Sequence, residues 1–173
     1  SCRSLKQISI PSSVTKIGNC AFHGCNSLEQ IVIPTSVTEI GNHAFEGCYL
    51  LMKITIPASI SLIGEYTFKG CKSLNQIVIP SSVIEIGNFA FSECSLLKQI
   101  IIPSSVTMIK KFAFNKCNFL KEIIIPSSLT SIGAYAFYNC SSLLSVHFES
   151  QSSLVSFEDH SFSNCSSLTE III

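Results

Sequence analysis

Residues 71–91 read CKSLNQIVIPSSVIEIGNFAF, and close variants of this string return every 23 residues along the 173-residue chain. Counted from its cysteine, the unit begins at Cys2, Cys25, Cys48, Cys71, Cys94, Cys117 and Cys140, and a partial one follows from Cys165 after a 25-residue step. The fourth place holds Leu5, Leu28, Leu51, Leu74, Leu97, Leu120, Leu143 and Leu168. The seventh holds Ile8, Ile31, Ile54, Ile77, Ile100, Ile123, Val146 and Ile171, and the ninth runs from Ile10 to Phe148 and Ile173. All six prolines, Pro11 through Pro126, stand at the tenth place. Self-similarity at one fixed period over the whole chain overrides any local helix or strand assignment and predicts a single array over 1–173.

Each unit spells out one coil. Apolar residues alternate over the last places of L-x-x-I-x-I, as in a strand with one buried face. The proline that follows has no N–H and a fixed φ, so it ends the strand, and the Ser-Ser after it suits a turn. A second short extended run, such as Val37 to Ile40, alternates again. Gly41 is then expected to supply a φ that other residues resist. The Ala-Phe segment closes the coil, expected as a short 3₁₀ turn with Phe in the core. One unit buries too little apolar surface to offset the ordering of its backbone, so coils must stack through parallel ladders. Crossover connections between parallel strands make the expected coil right-handed. The fold class predicted is a mainly β solenoid with, in each coil, one short parallel strand, a second short strand or irregular segment, and a short 3₁₀ turn.

The consensus Cys-x-Ser-Leu-x-x-Ile-x-Ile-Pro-Ser-Ser-Val-Thr-x-Ile-Gly-x-x-Ala-Phe resembles the BspA-type leucine-rich repeat, over essentially all of the chain. The resemblance implies a leucine-rich-repeat horseshoe with its short parallel strands on the concave side. It also implies a surface or secreted location and a role in adhesion, with a host or extracellular-matrix protein as partner. It implies no catalytic residue, because the motif is structural throughout.

Composition narrows the function classes. Apolar residues make up 47% and charged ones 13%, with eleven basic side chains against eleven acidic ones, which leaves no electrostatic footprint for nucleic acid. The apolar runs are too short to insert in a bilayer. The array shows no polar capping unit, which favours end-to-end self-association through open strand edges. No leader or anchor is evident, so localisation rests on the resemblance alone, and an intracellular assembly scaffold is the alternative to a surface adhesin.

Eight of the nine cysteines, spaced 23 residues apart with one 25-residue step, look like one structural position rather than a disulfide framework or zinc ligand pairs. Stacked neighbours would keep their Cβ atoms about 4.8 Å apart, beyond the ~3.8 Å a disulfide prefers, so free buried thiols are expected. Cys20 stands outside this row, in a column with His43, Tyr66, Phe89, Phe112, Tyr135 and His160 that reads as half-buried and aromatic. Cys20, His23 and Cys25 form a C-x-x-H-x-C cluster beside His43, but no carboxylate completes a ligand set in the sequence, and no metal or cofactor is expected. Asp159, His160 and Ser161 are consecutive and so point apart, which rules out a relay among them. Asn139 and Asn164 begin glycosylation triplets of the kind that chance supplies. No enzyme is expected.

Binding is expected where exposed places repeat down one face. On the first strand these are the sixth and eighth. The candidate residues are Gln30, Lys53, Gln76, Gln99 and Glu122 in one column, and Val32, Thr55, Val78, Ile101, Ile124 and His147 in the other. A polar stripe beside an apolar one marks a protein-contact surface. Lys98, Lys110, Lys111, Lys116 and Lys121 gather in neighbouring repeats and could receive an acidic partner. The two extra residues of the seventh repeat, within Glu149–Ser153, are expected to protrude as a loop.

Overall fold

The computed structural model describes residues 2–172, so Ile173, the last ninth-place residue, lies outside it. The chain is a parallel β-solenoid with two short strands in most coils and no helix among the described residues. The first coil carries β1 (Gln7–Ser9) and β2 (Lys16–Ile17), the second β3 (Gln30–Val32) and β4 (Glu39–Ile40), and the third β5 (Lys53–Thr55) and β6 (Leu62–Ile63). The fourth has β7 (Gln76–Val78) and β8 (Glu85–Ile86), and the fifth only β9 (Met108–Ile109). β10 (Glu122–Ile125) and β11 (Ser131–Ile132) follow, then β12 (Ser145–Phe148), β13 (Ser156–Phe157) and β14 (Glu170–Ile172). The register steps by one repeat: Ile8 pairs with Ile31, Ile54 with Ile77, and Ile123 with Val146.

The inward rows are those the spacing predicts. Leu28, Leu51, Leu74, Leu97, Leu120 and Leu143 are fully buried, as are Phe45, Phe68, Phe91, Phe114 and Phe137. The phenylalanines stack nearly parallel along the axis at 5.2–5.6 Å between ring centroids. A continuous apolar column of this kind is what a lone coil lacks and what stacking provides.

Four features depart from expectation. First, the closing segment is not 3₁₀. Alternate amides there bond within the coil, as Glu46 N–H does to His43 O at 3.2 Å, while those between them cross to the next coil. His43, Phe45 and Gly47 donate to Glu65, Thr67 and Lys69 carbonyls at 2.9, 2.9 and 2.8 Å, and the equivalent bonds recur at each later step through Asn139. A 3₁₀ helix would spend all of these amides internally. The left-handed φ of 54–58° at Cys20, His43, Tyr66, Phe89, Phe112, Tyr135 and His160 aims half of them outward.

Second, Gly41 and its equivalents are not at positive φ. A Cβ on Gly87 would lie 2.8 Å from Ile63 O and 2.9 Å from Gly64 C, so the glycine permits close approach of the preceding coil. The positive-φ glycines are instead Gly24, Gly47 and Gly70, each just before the ladder cysteine. Third, the first-strand ladder is not continuous. It forms a four-stranded sheet, β1-β3-β5-β7, and a three-stranded one, β10-β12-β14. The fifth coil between them keeps only an isolated bridge from Gln76 to Gln99, although Ile100 and Ile102 stay buried in their rows. Nothing in the residues of the fifth coil explains the interruption.

Fourth, the thiols do more than fill space. All nine are free. From Cys48 onward each ladder Sγ donates to the carbonyl of the Phe in the coil before, as Cys71 does to Phe45 O at 3.3 Å and Cys94 to Phe68 O at 3.2 Å. The serine two places after the proline acts similarly from the second coil to the sixth: Ser36, Ser59, Ser82, Ser105 and Ser128 Oγ donate 2.6–2.8 Å bonds to carbonyls one coil back. Both rows tie neighbouring coils, the thiol bonds mostly buried and the serine bonds partly so. The extra residues of the seventh repeat lie on the surface, tied back by Ser153 N–H to Ser127 O at 2.8 Å, and β13 pairs with β11 at a 25-residue offset that absorbs them.

Candidate protein-binding face

On each first strand, alternation sends the seventh and ninth places inward and leaves the sixth and eighth on the surface. Gln30, Lys53, Gln76, Gln99 and Glu122 are exposed along one column. In the other, Val32 is 70% exposed, Val78 68%, Ile101 81% and Ile124 53%, with Thr55 exposed between the first two. His147 is half-buried, and its Nε2 lies 3.0 Å from Ser145 Oγ. The structure therefore brings all the predicted face residues together on one surface. Where the first-strand ladder is interrupted, a shallow cleft of about 160 Å³ opens between the fourth and fifth coils, lined by Gln76–Ile79 and Gln99–Ile101.

Sequence reading missed a neighbouring apolar margin. Leu50, Leu96 and Phe119 at the third place, and Met52 and Leu144 at the fifth, are exposed beside the same face. Their signal lay in the departures from Ser and polar residues that otherwise hold those places. The lysine cluster, by contrast, divides. Lys110 lies 3.5 Å from Glu85 in the second-strand region, and Lys111 sits over the Phe112 ring at 5.4 Å. Lys98 and Lys121 stay on the fifth-place column of the first-strand face.

The aromatic column is continuous from His43 through Tyr66, Phe89, Phe112 and Tyr135 to His160, with ring centroids 4.5–4.9 Å apart. Stacked faces leave only ring edges at the surface, so the column closes the coils and offers no platform for a flat ligand. Beside it, the carboxylate that the C-x-x-H-x-C cluster lacks in sequence comes from the next coil. Glu46 lies 2.6 Å from His43 Nδ1, 3.8 Å from His23 Nε2 and 3.4 Å from Lys69 Nζ. Partial burial works to raise its pKa, but the His43 bond and Lys69 outweigh it and hold the carboxyl below its ordinary value. Among the described residues no three His, Cys, Asp or Glu side chains are arranged to hold a metal ion. At the other end, His160 Nδ1 meets Ser163 Oγ at 3.1 Å, and Asp159 and Ser161 take no part. No helix among the described residues is long and apolar enough to cross a membrane.

Comparison with known proteins agrees with this architecture. The family model described as BspA type leucine rich repeat region matches in six copies, over residues 1–107 and 85–173. A leucine-rich repeat protein of T. pallidum is 32% identical and superposes with a TM-score of 0.87, over 95% of this chain and 78% of that one. A leucine rich cell surface protein of Faecalibacterium prausnitzii is 26% identical with a TM-score of 0.67, and this chain, 99% covered, spans 60% of its length. The pneumococcal vaccine antigen PcpA shares the fold at 19% identity and a TM-score of 0.52, over 96% of this chain and 56% of that one. No curated protein matches the chain in sequence. With the repeat carried by every coil and a family match from one end to the other, the chain belongs to the BspA-type leucine-rich repeat family.

Proposed function

We propose that the chain is a recognition module of a surface or secreted protein and that it engages a partner protein through its first-strand face. Leucine-rich repeat proteins are generally protein-interaction modules, and this repeat family is typically a scaffold rather than an enzyme. The observation that carries the reading is the exposed row Val32, Val78, Ile101 and Ile124 beside polar Gln30, Lys53, Gln76, Gln99 and Glu122. Strands favour β-branched residues in general, but here Val78, Ile101 and Ile124 stand open to water on three adjacent coils, beside a polar column. Contiguous apolar surface of this kind costs solubility and is the usual mark of a contact site. Surface location is supported by the likeness to a protein described as a leucine rich cell surface protein.

The test is capture from a panel of purified extracellular-matrix and cell-surface proteins, with wild type beside a Val78→Thr, Ile101→Thr, Ile124→Thr triple variant. These side chains lie outside the core, so the variant should melt as wild type does. Loss of each captured partner, by roughly tenfold or more in affinity, is the expected outcome. Equal capture by both proteins, or none by wild type, would remove the proposal.

A further inference from the structure

We propose that the occupant of this face is an acidic amphipathic helix of a partner protein, laid along the solenoid axis across the third to sixth coils. The proposal rests on reading the first-strand face as a protein-contact surface and names the chemistry of what it takes.

The chain is neutral overall, with eleven basic and eleven acidic side chains, but the two signs are segregated by side. Between the second and ninth places, on the first-strand side, stand Arg3, Lys6, Lys53, Lys72, Lys98 and Lys121 against Glu29, Glu122 and Glu170. From the tenth place to the eighteenth, on the second-strand side, three basic residues stand against six acidic ones. Pairing sharpens the contrast. Lys16 and Lys110 on the second-strand side lie 2.8 and 3.5 Å from Glu39 and Glu85. None of the six first-strand cations has an ion partner among the described residues. From the third coil to the sixth, each coil presents one exposed lysine there, in turn Lys53, Lys72, Lys98 and Lys121, and Glu122 is the single acidic side chain among them. Unpaired charge of one sign beside open apolar side chains draws carboxylates in and turns ammonium groups away, which selects the sign of the partner.

Spacing selects its form. Each coil offers one eighth-place side chain, here Thr55, Val78, Ile101 and Ile124 in order. Coils repeat at about 4.8 Å, so the three steps from Thr55 to Ile124 cover about 14 Å. An α-helix returns a side chain to one face every turn of about 5.4 Å, and three turns cover about 16 Å. An extended strand returns one every second residue, about 6.7 Å, and three such steps cover about 20 Å. The helix stays within about 2 Å of the row over four contacts, whereas the strand overruns it by more than a coil. Lys53, Lys98 and Lys121, at the sixth and fifth places, lie about 7–10 Å along the strand from the apolar row, at the flank of a helix about 10 Å across. The cleft of about 160 Å³ between the fourth and fifth coils, lined by Gln76–Ile79 and Gln99–Ile101, opens at the middle of the row. One large apolar side chain of the helix enters it as an anchor, and its neighbours one turn away meet Val78 and Ile124.

The probe is a display library of helical peptides about five turns long. One face and its two flanks are randomised among Leu, Phe, Ala, Gln, Glu and Lys at equal frequency, and the library is selected on the immobilised protein. Recovered peptides should carry Leu or Phe at i, i+3 or i+4, and i+7, with Glu exceeding Lys on one flank by roughly tenfold. Their affinity should fall by roughly tenfold or more on a Lys98→Glu, Lys121→Glu double variant, and should weaken as salt rises. It should hold on Lys111→Glu, which lies on the second-strand side. Thermal melts of both variants check that folding is unchanged. No enrichment, no excess of Glu over Lys, apolar residues alternating at i and i+2, or binding indifferent to the double variant would overturn the proposal. Any of these, beside protein capture that the triple threonine variant abolishes, would leave the broader reading of the face standing, so the two failures are distinguishable.

Discussion

Cys48, Cys71, Cys94 and Cys117 form a row of thiols with no water access, each donating its proton to a carbonyl one coil away. Burial pushes the Cys48 thiol up to about 12 and raises the other three well above the ordinary value. Cys140 also rises, through its hydrogen bond with Cys165 and its burial, while the same hydrogen bond lowers Cys165. An unfolded thiol ionises near pH 8.5 and these do not, so above that pH the unfolded chain binds fewer protons than the folded one. Their contribution is fully present below pH 8.5 and is lost as pH climbs toward the folded values. At pH 9.5 each thiol favours unfolding by about 1.4 kcal/mol, hence roughly 5–6 kcal/mol for the four. Set against a typical domain stability of about 5–15 kcal/mol, that is a large fraction. Urea unfolding under anaerobic reducing conditions, at half-unit steps from pH 7 to 9.5, measures it. The midpoint should hold to about pH 8 and then fall steeply, and Cys94→Ala should flatten the fall by about a quarter. A midpoint unchanged from pH 7 to 9.5 would refute the buried-thiol reasoning.

Gly87→Ala places a Cβ against backbone atoms of the preceding coil and should cost about 1–3 kcal/mol in a denaturant titration. Gly18→Ala, with nothing within 4 Å of the added atom, should cost much less, although the two occupy the same place in the repeat. Ser82→Ala removes a 2.6 Å bond to Ile60 O and leaves that carbonyl with less satisfaction, for a loss of about 0.5–1.5 kcal/mol in the same titration.

Rows were legible in the sequence because an equivalence repeated every 23 residues needs no knowledge of distances. Leu28, Leu51 and Leu74 had to share a line whatever the shape of the coil, and the outward column from Val32 to Ile124 followed from strand alternation. What each row does between coils was not legible. The serine after the first post-proline residue reads as a turn former until its hydroxyl is seen reaching Val37 O from Ser59. Gly41 reads as a φ requirement, but the constraint is the neighbouring coil, where a Cβ would meet Asn19 at 2.4 Å. The left-handed φ falls instead on Tyr66 and Phe89, residues that seldom adopt it, because the stack of rings and three crossing amide bonds per coil compensate. Glu46 joined His23 and His43 only through stacking, since no local motif contains all three. The break at the fifth coil had no signal in its residues.

Hydrogen–deuterium exchange with and without a captured partner tests the binding face most directly. Slower exchange confined to segments 76–79, 99–102 and 122–125 is predicted, with the second-strand segments 85–86, 108–109 and 131–132 unaffected. Protection of those second-strand segments, with the first-strand segments exchanging as in the free protein, would contradict the assignment of the face.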